Sequence, residues 1–408
     1  MKTEMKKGWE IKKLGEICEF GNGLWTGKKP PFQNVGVIRN TNFTKDGKLD
    51  DNDIVYLDVE QSQFAKRKLQ YGDIILEKSG GGPKQPVGRV IIFDKTTGDY
   101  SYSNFTSVIR IINHKTVDFT YLHRFLFFSY VSGATETMQS HSTGIRNLKF
   151  DDYKAIEVPF PPLPEQQRIV SILDEAFTAL AVAKTNAEQN LKNAKELFES
   201  YLQGVFEKKG KGWKHTRLGD ICQINDGTHF SPKNTSDGEY MYITAKNIKP
   251  YFIDLTKISY ISEKDHKEIY ARCSPVKGDV LYIKDGATAG IATLNTLDDE
   301  FSLLSSVALL KCSSQILNTF LVHYMNSTIG KKNFLGYIGG AAITRLTLIK
   351  IKNVCFSLPP IKDQQNIVQK LDALSTETKR LEAIYQQKLL DLEELKKSVL
   401  QKAFNGEL

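Results

Sequence analysis

Between Leu163 and Phe206 the chain runs for over forty residues with Pro164 in the opening turn and its only glycine, Gly204, near the end. Proline suits a first helical turn and nothing later in the stretch interrupts a helix. Ile169, Leu173, Ala176, Leu180, Ala183, Ala187, Leu191, Ala194, Phe198, Tyr201 and Val205 recur at steps of three and four. That spacing predicts one long helix with an apolar seam, and a seam requires a second helix to cover it. Ile361 to Phe404 supplies one, with Ile367, Leu371, Leu374, Thr378, Leu381, Tyr385, Leu389, Leu392, Leu395, Val399 and Ala403 in the same rhythm. Either helix would reach about 60 Å at 1.5 Å per residue, more than a compact domain needs. Two readings follow: an oligomerising coiled coil, or an intramolecular ruler between two modules.

The two stretches are copies. Pro161-Pro162-Leu163, Gln166-Gln167 and Phe206 align with Pro359-Pro360-Ile361, Gln364-Gln365 and Phe404 without a gap. A second repeated anchor lies upstream, where Trp9-Glu10-Ile11-Lys12-Lys13-Leu14-Gly15-Glu16-Ile17-Cys18 matches Trp213-Lys214-His215-Thr216-Arg217-Leu218-Gly219-Asp220-Ile221-Cys222. Between the anchors, Gly72-Asp73-Ile74-Ile75-Leu76 pairs with Gly278-Asp279-Val280-Leu281-Tyr282, a turn feeding an apolar strand. Ile145-Arg146-Asn147-Leu148 pairs with Ile343-Thr344-Arg345-Leu346. Each half therefore reads as a mixed module, rich in short strands and closed by a long helix. The expected division is 1–160 module 1, 161–207 helix 1, 208–358 module 2 and 359–408 helix 2. The fold class is α+β, with an internal pseudo-two-fold repeat and the helices packed as an antiparallel coiled coil. Anchors match while loops diverge, which suggests related tasks on different targets.

With 40% hydrophobic and 25% charged residues the composition is that of a globular protein. No stretch approaches eighteen apolar residues, so a cytoplasmic protein is expected. Five cysteines, none in C-x-x-C spacing, argue against a zinc site or a disulfide framework. A net charge of +8 favours a polyanionic partner.

Catalytic patterns fail one by one. Gly23-Leu24-Trp25-Thr26-Gly27-Lys28-Lys29 is one residue short of a phosphate-binding loop and has Lys29 where Ser or Thr would meet Mg²⁺. Ser79-Gly80-Gly81-Gly82-Pro83 places proline where a dinucleotide-binding helix would start. The histidines are scattered, and Asp73, Glu77 and Lys78 have nuclease residue types at the wrong spacing. What remains is a concentration of polar and basic loop residues at matching places in both halves. In module 1 the candidates for DNA contact are Arg39, Asn40, Thr41, Lys78, Ser79, Lys84, Arg89, Ser142, Thr143 and Arg146. In module 2 they are His229, Lys233, Thr244, Lys246, Asn247, Lys284, Thr344 and Arg345. Arg, Lys, Asn and Gln can read base edges, whereas Ser and Thr hold phosphates.

The Pro-Pro-Leu-Pro-Glu-Gln-Gln at 161–167, its copy Pro-Pro-Ile-Lys-Asp-Gln-Gln at 359–365, the Trp-x4-Leu-Gly-[DE]-Ile starts and the final Ala403-Phe404-Asn405-Gly406-Glu407-Leu408 resemble the specificity (S) subunits of Type I restriction-modification enzymes. The resemblance spans the whole chain. It implies two target recognition domains, each reading half of a bipartite asymmetric site in double-stranded DNA. It further implies that the helices dock two methyltransferase (M) subunits, with restriction (R) subunits joining through the complex. The chain itself would be non-catalytic and bind no metal; S-adenosylmethionine, ATP and Mg²⁺ would belong to partners. One departure, Lys362-Asp363 in place of Pro164-Glu165, falls at the start of the second helix. The alternatives are a coiled-coil interaction scaffold without DNA specificity, and a nuclease or methyltransferase with an unfamiliar site.

Overall fold

A computed structural model of the chain describes residues 6–24, 29–82, 85–142, 145–208, 210–336 and 345–408. It divides into two compact units, Met1–Ala187 with Gln387–Leu408, and Glu188–Gln386. The long helices span Leu163–Glu207 and Ile361–Phe404. Each unit therefore contains part of both. Among the described residues no helix is long and apolar enough to cross a membrane.

The first unit is built on an antiparallel four-stranded sheet in the order Cys18–Asn22, Thr106–Ile111, Ile74–Glu77, Val90–Ile92. Ile74, Ile75 and Leu76 are all buried, as expected of a central strand covered on both faces. A three-stranded sheet, Val55–Glu60, Phe32–Ile38 and Tyr100–Tyr102, packs beside it, its inner strand parallel to Tyr100–Tyr102. Glu10–Lys13 pairs with Glu157–Phe160 and brings the first anchor to the root of the long helix. Leu14 and Ile17 of the anchor are buried, and Leu14 N–H donates to Ile156 O. A side chain at Gly15 would press on Lys154 at 3.4 Å, and one at Gly219 on Lys352 at 3.0 Å, so the repeated Leu-Gly marks a close backbone approach.

The second unit repeats this plan. Its four-stranded sheet runs Cys222–Asp226, Val307–Cys312, Val280–Ile283, Ala292–Leu294, and its three-stranded sheet Ser259–Ile261, Tyr240–Ile243, Phe301–Leu303. Lys214–Arg217 pairs with Cys355–Leu358. The Gly-Asp turns are equivalent in detail. Gly72 and Gly278 have φ of 85° and 96°, and the following carboxylates accept from Gln70 N–H and Val276 N–H. Asp73 is then paired by Arg110 and Asp279 by Lys311, each at 2.6 Å. Glu77 is taken by Arg89, so the acidic residues with nuclease character are ion-pair partners within the sheet.

The repeated Gln-Gln resolves into two unlike residues. Gln166 and Gln364 are fully buried, whereas Gln167 and Gln365 are exposed. Gln166 Nε2 donates to Thr116 O and Pro161 O, and its Oε1 accepts from Asp118 N–H. Gln364 makes the same three bonds, to Gln315 O, Pro359 O and Leu317 N–H. The helix starts also agree despite Lys362-Asp363, since Gln166 N–H and Gln364 N–H donate to Pro162 O and Pro360 O at 3.1 and 3.0 Å.

The seam follows the sequence pattern over most of its length and departs near the ends. In the first unit Ile169 and Leu173 share a core with Leu400, Ala403 and Phe404. In the second, Leu202 and Phe206 share one with Leu371. Tyr201 and Leu395, expected on the seam, are exposed. A straight helix with 3.6 residues per turn drifts against a three-four alternation, so the buried position moves by one residue.

The five cysteines are free thiols, three buried and two half-buried. Burial pushes the thiols of Cys18 and Cys273 up to about 12, and the Cys312 sulfur, with burial, raises that of Cys222. None of these three is a ready nucleophile at neutral pH.

Replacing Gln166 by Leu strands the buried Pro161 carbonyl and unpairs Asp118 N–H and Thr116 O, which should cost about 2 kcal/mol and lower the urea midpoint. Gln167→Leu, one residue on and exposed, should leave it within error. Burial also drives the His123 imidazole down to about 3. As pH falls below about 6.5 the unfolded chain takes up a proton there and the folded chain does not. Stability should decline from pH 6.5 to 5 by up to about 1.4 kcal/mol per unit from this ring, and urea titrations of His123→Gln should show a shallower decline.

Candidate nucleic-acid interface

In the first unit the strand Cys18–Asn22 ends at Asn22, beside the turn between Ile74–Glu77 and Ser79–Gly81. Lys78 sits in that turn and donates from Nζ to Asn22 Oδ1 at 2.7 Å; burial lowers its pKa. Ser79–Gly81 joins a small sheet with Ile145–Leu148 and Gln139–Ser142, in which Ser79 lies opposite Asn147. Ser79 Oγ donates to Asn147 Oδ1, while Ser79 O accepts from Asn40 Nδ2 at 2.8 Å. Lys78 N–H and Ser79 N–H both donate to Phe105 O, and the Phe105 ring is exposed. Asn22, Asn40, Lys78, Ser79, Phe105 and Asn147 therefore form one connected polar patch with an aromatic in it. Asn40 Oδ1 in this patch is buried without a hydrogen-bond partner among the described residues.

Other candidates in this unit divide by their partners. Arg39 Nη2 donates to Asp53 O and Oδ2, both at 3.0 Å, and Thr41 is exposed. Arg146 is half-buried, opposite Gly81 and His141 in the small sheet. Arg89 is a buttress. Its Nε and Nη2 donate to the buried Glu77 at 2.7 and 2.9 Å, and Nη1 and Nη2 reach Phe43 O and Asn40 O, so its guanidinium fixes the loop that carries Asn40. Ser142 ends its strand paired with Ile145. Lys84 and Thr143 lie outside the described residues.

The second unit has the same geometry with different chemistry. Asp226 ends the strand equivalent to that ending at Asn22, and accepts from Arg272 Nη2 at 3.0 Å. His229 Nε2 is 3.3 Å from the other carboxylate oxygen. Lys284, the counterpart of Lys78, is buried with Nζ 2.6 Å from Asp285 and 3.6 Å from Asp226. Its N–H donates to Ser306 O, as Lys78 N–H does to Phe105 O. Asp285 forms an antiparallel bridge to Arg345, matching Ser79 opposite Asn147, and Leu346 N–H donates to Lys284 O just as Leu148 N–H donates to Lys78 O. Arg345 Nε lies 3.9 Å from Asp285 Oδ1, an ion-pair distance rather than a hydrogen bond, and its side chain is 71% exposed.

Two further candidates here are inward-facing. Lys284 is enclosed by its carboxylates. Asn247 is buried, accepting from Thr244 N–H and donating to Asp254 O, as Asn42 accepts from Arg39 N–H and donates to Asp50 O. Both asparagines fold their loops. Thr244 is held to Asn247, Lys233 and Lys246 are exposed, and Thr344 lies outside the described residues. Sequence reasoning passed over Asn22, Asn147, Phe105 and Arg272. The first two hold matching places in the repeat with Asp226 and Arg345, which was the available signal. Among the described residues no cluster of His, Cys, Asp and Glu could hold a metal ion.

Two copies of one scaffold thus carry Asn22, Lys78, Ser79 and Asn147 in one unit where the other has Asp226, Lys284, Asp285 and Arg345. The family model of the Type I restriction modification DNA specificity domain matches residues 6–193 and again 210–390, and the chain belongs to that family. It is a specificity subunit, the non-catalytic component of such a system. The StySPI specificity subunit of Salmonella potsdam is 24% identical over 99% of this chain and 90% of its own length. Two solved structures share the fold. One, from work on complex assembly and conformational transition of the type I R-M system, has a TM-score of 0.77 at 20% identity, covering 99% of this chain and 100% of its own. The HsdS subunit from Thermoanaerobacter tengcongensis has a TM-score of 0.66 at 19% identity, covering 99% and 98%.

Lys284→Ala removes one partner of a buried ion pair and should destabilise the chain by about 3 kcal/mol. Lys246→Ala, at an exposed position, should not shift the unfolding midpoint. Thermal melts of the two variants separate the structural lysine from the surface one.

Proposed function

We propose that this specificity subunit reads a bipartite, asymmetric sequence in double-stranded DNA, one unit per half-site, and carries two methyltransferase subunits to it. The observation behind this reading is the change of side chains on a constant frame: Asn22, Ser79 and Asn147 in one unit stand where Asp226, Asp285 and Arg345 stand in the other. Polar groups that differ at equivalent positions suit two different half-sites. Arg39, Asn40, Thr41, Lys78, Ser79 and Arg146 would face one half-site, and His229, Lys233, Thr244, Lys246 and Arg345 the other. Arg89, Lys284 and Asn247 would act by holding those loops in place.

The long helices run antiparallel in this reading. Support comes from each unit separately, because the start of one helix packs with the end of the other in both cores. Exposed apolar residues remain on their outer faces, Val182, Leu390 and Leu395 in the first unit and Leu197, Tyr201 and Ile384 in the second. Patches of this kind suit partner subunits. S-adenosylmethionine, ATP and Mg²⁺ would be used by the methyltransferase and restriction subunits, and the assembly would work in the cytoplasm.

The test is DNA binding by the assembled methyltransferase complex as a function of salt. Affinity should fall steeply and linearly on a log-log plot, and Lys233→Ala and Lys246→Ala should each reduce the slope by about 1. A complex that binds methyltransferase subunits normally but shows no salt-dependent affinity for duplex DNA would favour the protein-interaction scaffold instead.

A further inference from the structure

We infer that Asn147 and Arg345 are the equivalent specificity-determining residues of the two units, Asn147 selecting an adenine and Arg345 a guanine. The inference rests on the DNA reading above and adds which residue meets which base.

Their equivalence is set by backbone pairing. Asn147 lies opposite Ser79 and Arg345 opposite Asp285; Ser79 follows Lys78 and Asp285 follows Lys284, the lysines whose carbonyls accept from Leu148 and Leu346 N–H. Each also has a polar cross-strand neighbour, bonded to Asn147 and at ion-pair distance from Arg345. Ser79 Oγ donates to Asn147 Oδ1, and Asp285 Oδ1 lies 3.9 Å from Arg345 Nε. A long side chain restrained at one edge loses less rotamer entropy when it meets a ligand with the other.

The chemistry then distinguishes the bases. With Nε the nitrogen nearest Asp285, at 3.9 Å, Nη1 and Nη2 form a fork of donors with no acceptor, which matches the two acceptors O6 and N7 of guanine and mismatches adenine. Asn147 keeps Nδ2 as a donor and the second lone pair of Oδ1 as an acceptor, the combination that matches adenine N7 and N6. In place of the Ser79–Asn147 pair, the second unit has Asp285 with Arg345: a hydroxyl orients an amide, a carboxylate orients a guanidinium. The exchange is concerted, since an aspartate opposite Asn147 would compete for its donor and a serine opposite Arg345 would lack the charge to hold it.

The experiment reads the methylated sequence produced in cells by this subunit with its methyltransferase partner. For the wild type, one half-site should contain a required adenine and the other a required guanine. Arg345→Ala should relax that guanine to any base and leave the first half-site unchanged; Asn147→Ala should relax the adenine alone. Substitutions that leave every position as strict as before, or relax the opposite half-site, overturn the assignment. A wild-type complex that marks no bipartite sequence overturns the underlying DNA reading as well. If either variant fails to fold, the wild-type complex itself decides. Replacing the guanine by 7-deazaguanine removes N7 and should weaken binding about tenfold, as should 7-deazaadenine at the adenine. No loss with either analogue overturns the proposal.

Discussion

One buried amide in each unit fixes the relation between sheet and helix. The fully buried side chains of Gln166 and Gln364 each bond three main-chain groups, two on the loop before a module helix and one at the proline pair. A buried amide satisfied in this way tolerates little movement, because every displaced bond leaves an unpaired polar group. A second contact about two turns along reinforces it. Arg124 pairs with Asp174 at 2.9 Å in the first unit, and His323 with Asp372 at 3.1 Å in the second. The helix root is thereby clamped at two points on the sheet module, so the loops at the far edge of that module are carried on a rigid base.

That rigidity explains how the loops can diverge while the frame does not. The four-stranded sheets keep the same order and the same central pairing, Ile75 opposite Val108 and Leu281 opposite Leu309. Charge is then introduced in compensated sets. Asp226 arrives with Arg272 and His229, Asp285 with Lys284 and Arg345. Burying Lys284 alone would be prohibitive, whereas two carboxylates within 3.6 Å make it tolerable. In the first unit the buried Glu77 is compensated by Arg89, and Lys78 donates to the Asn22 amide rather than to a carboxylate.

The long helices, the duplicated anchors and the mixed modules were legible because each is a local signal: a seam repeating over eleven positions, a leucine-glycine pair at a close approach, a Gly-Asp turn. The division of the candidate site was less so. Arg89, Lys284 and Asn247 carry side chains able to contact DNA, yet each is turned inward by a partner: Glu77 twelve residues away for Arg89, Asp226 across the module for Lys284, and the Asp254 carbonyl for Asn247. Periodicity carries no trace of such pairings. Asn147 was visible as a repeat mate of Arg345, but its contact with Ser79 joins residues 68 positions apart and exists only once the small sheet has formed. The drift that exposes Tyr201 and Leu395 is likewise a property of helix geometry over many turns rather than of any one residue.

The central claim is that the chain carries two equivalent and independent readers on one frame. The direct test is a chimera in which residues 214–358 are replaced by 10–160, with both long helices retained, paired with the methyltransferase and sequenced for methyl marks. The account predicts marks on a target containing two copies of the first half-site and none on the wild-type sequence. A folded chimeric complex that still marks the original second half-site would contradict it, because recognition of that half would then lie outside the module removed.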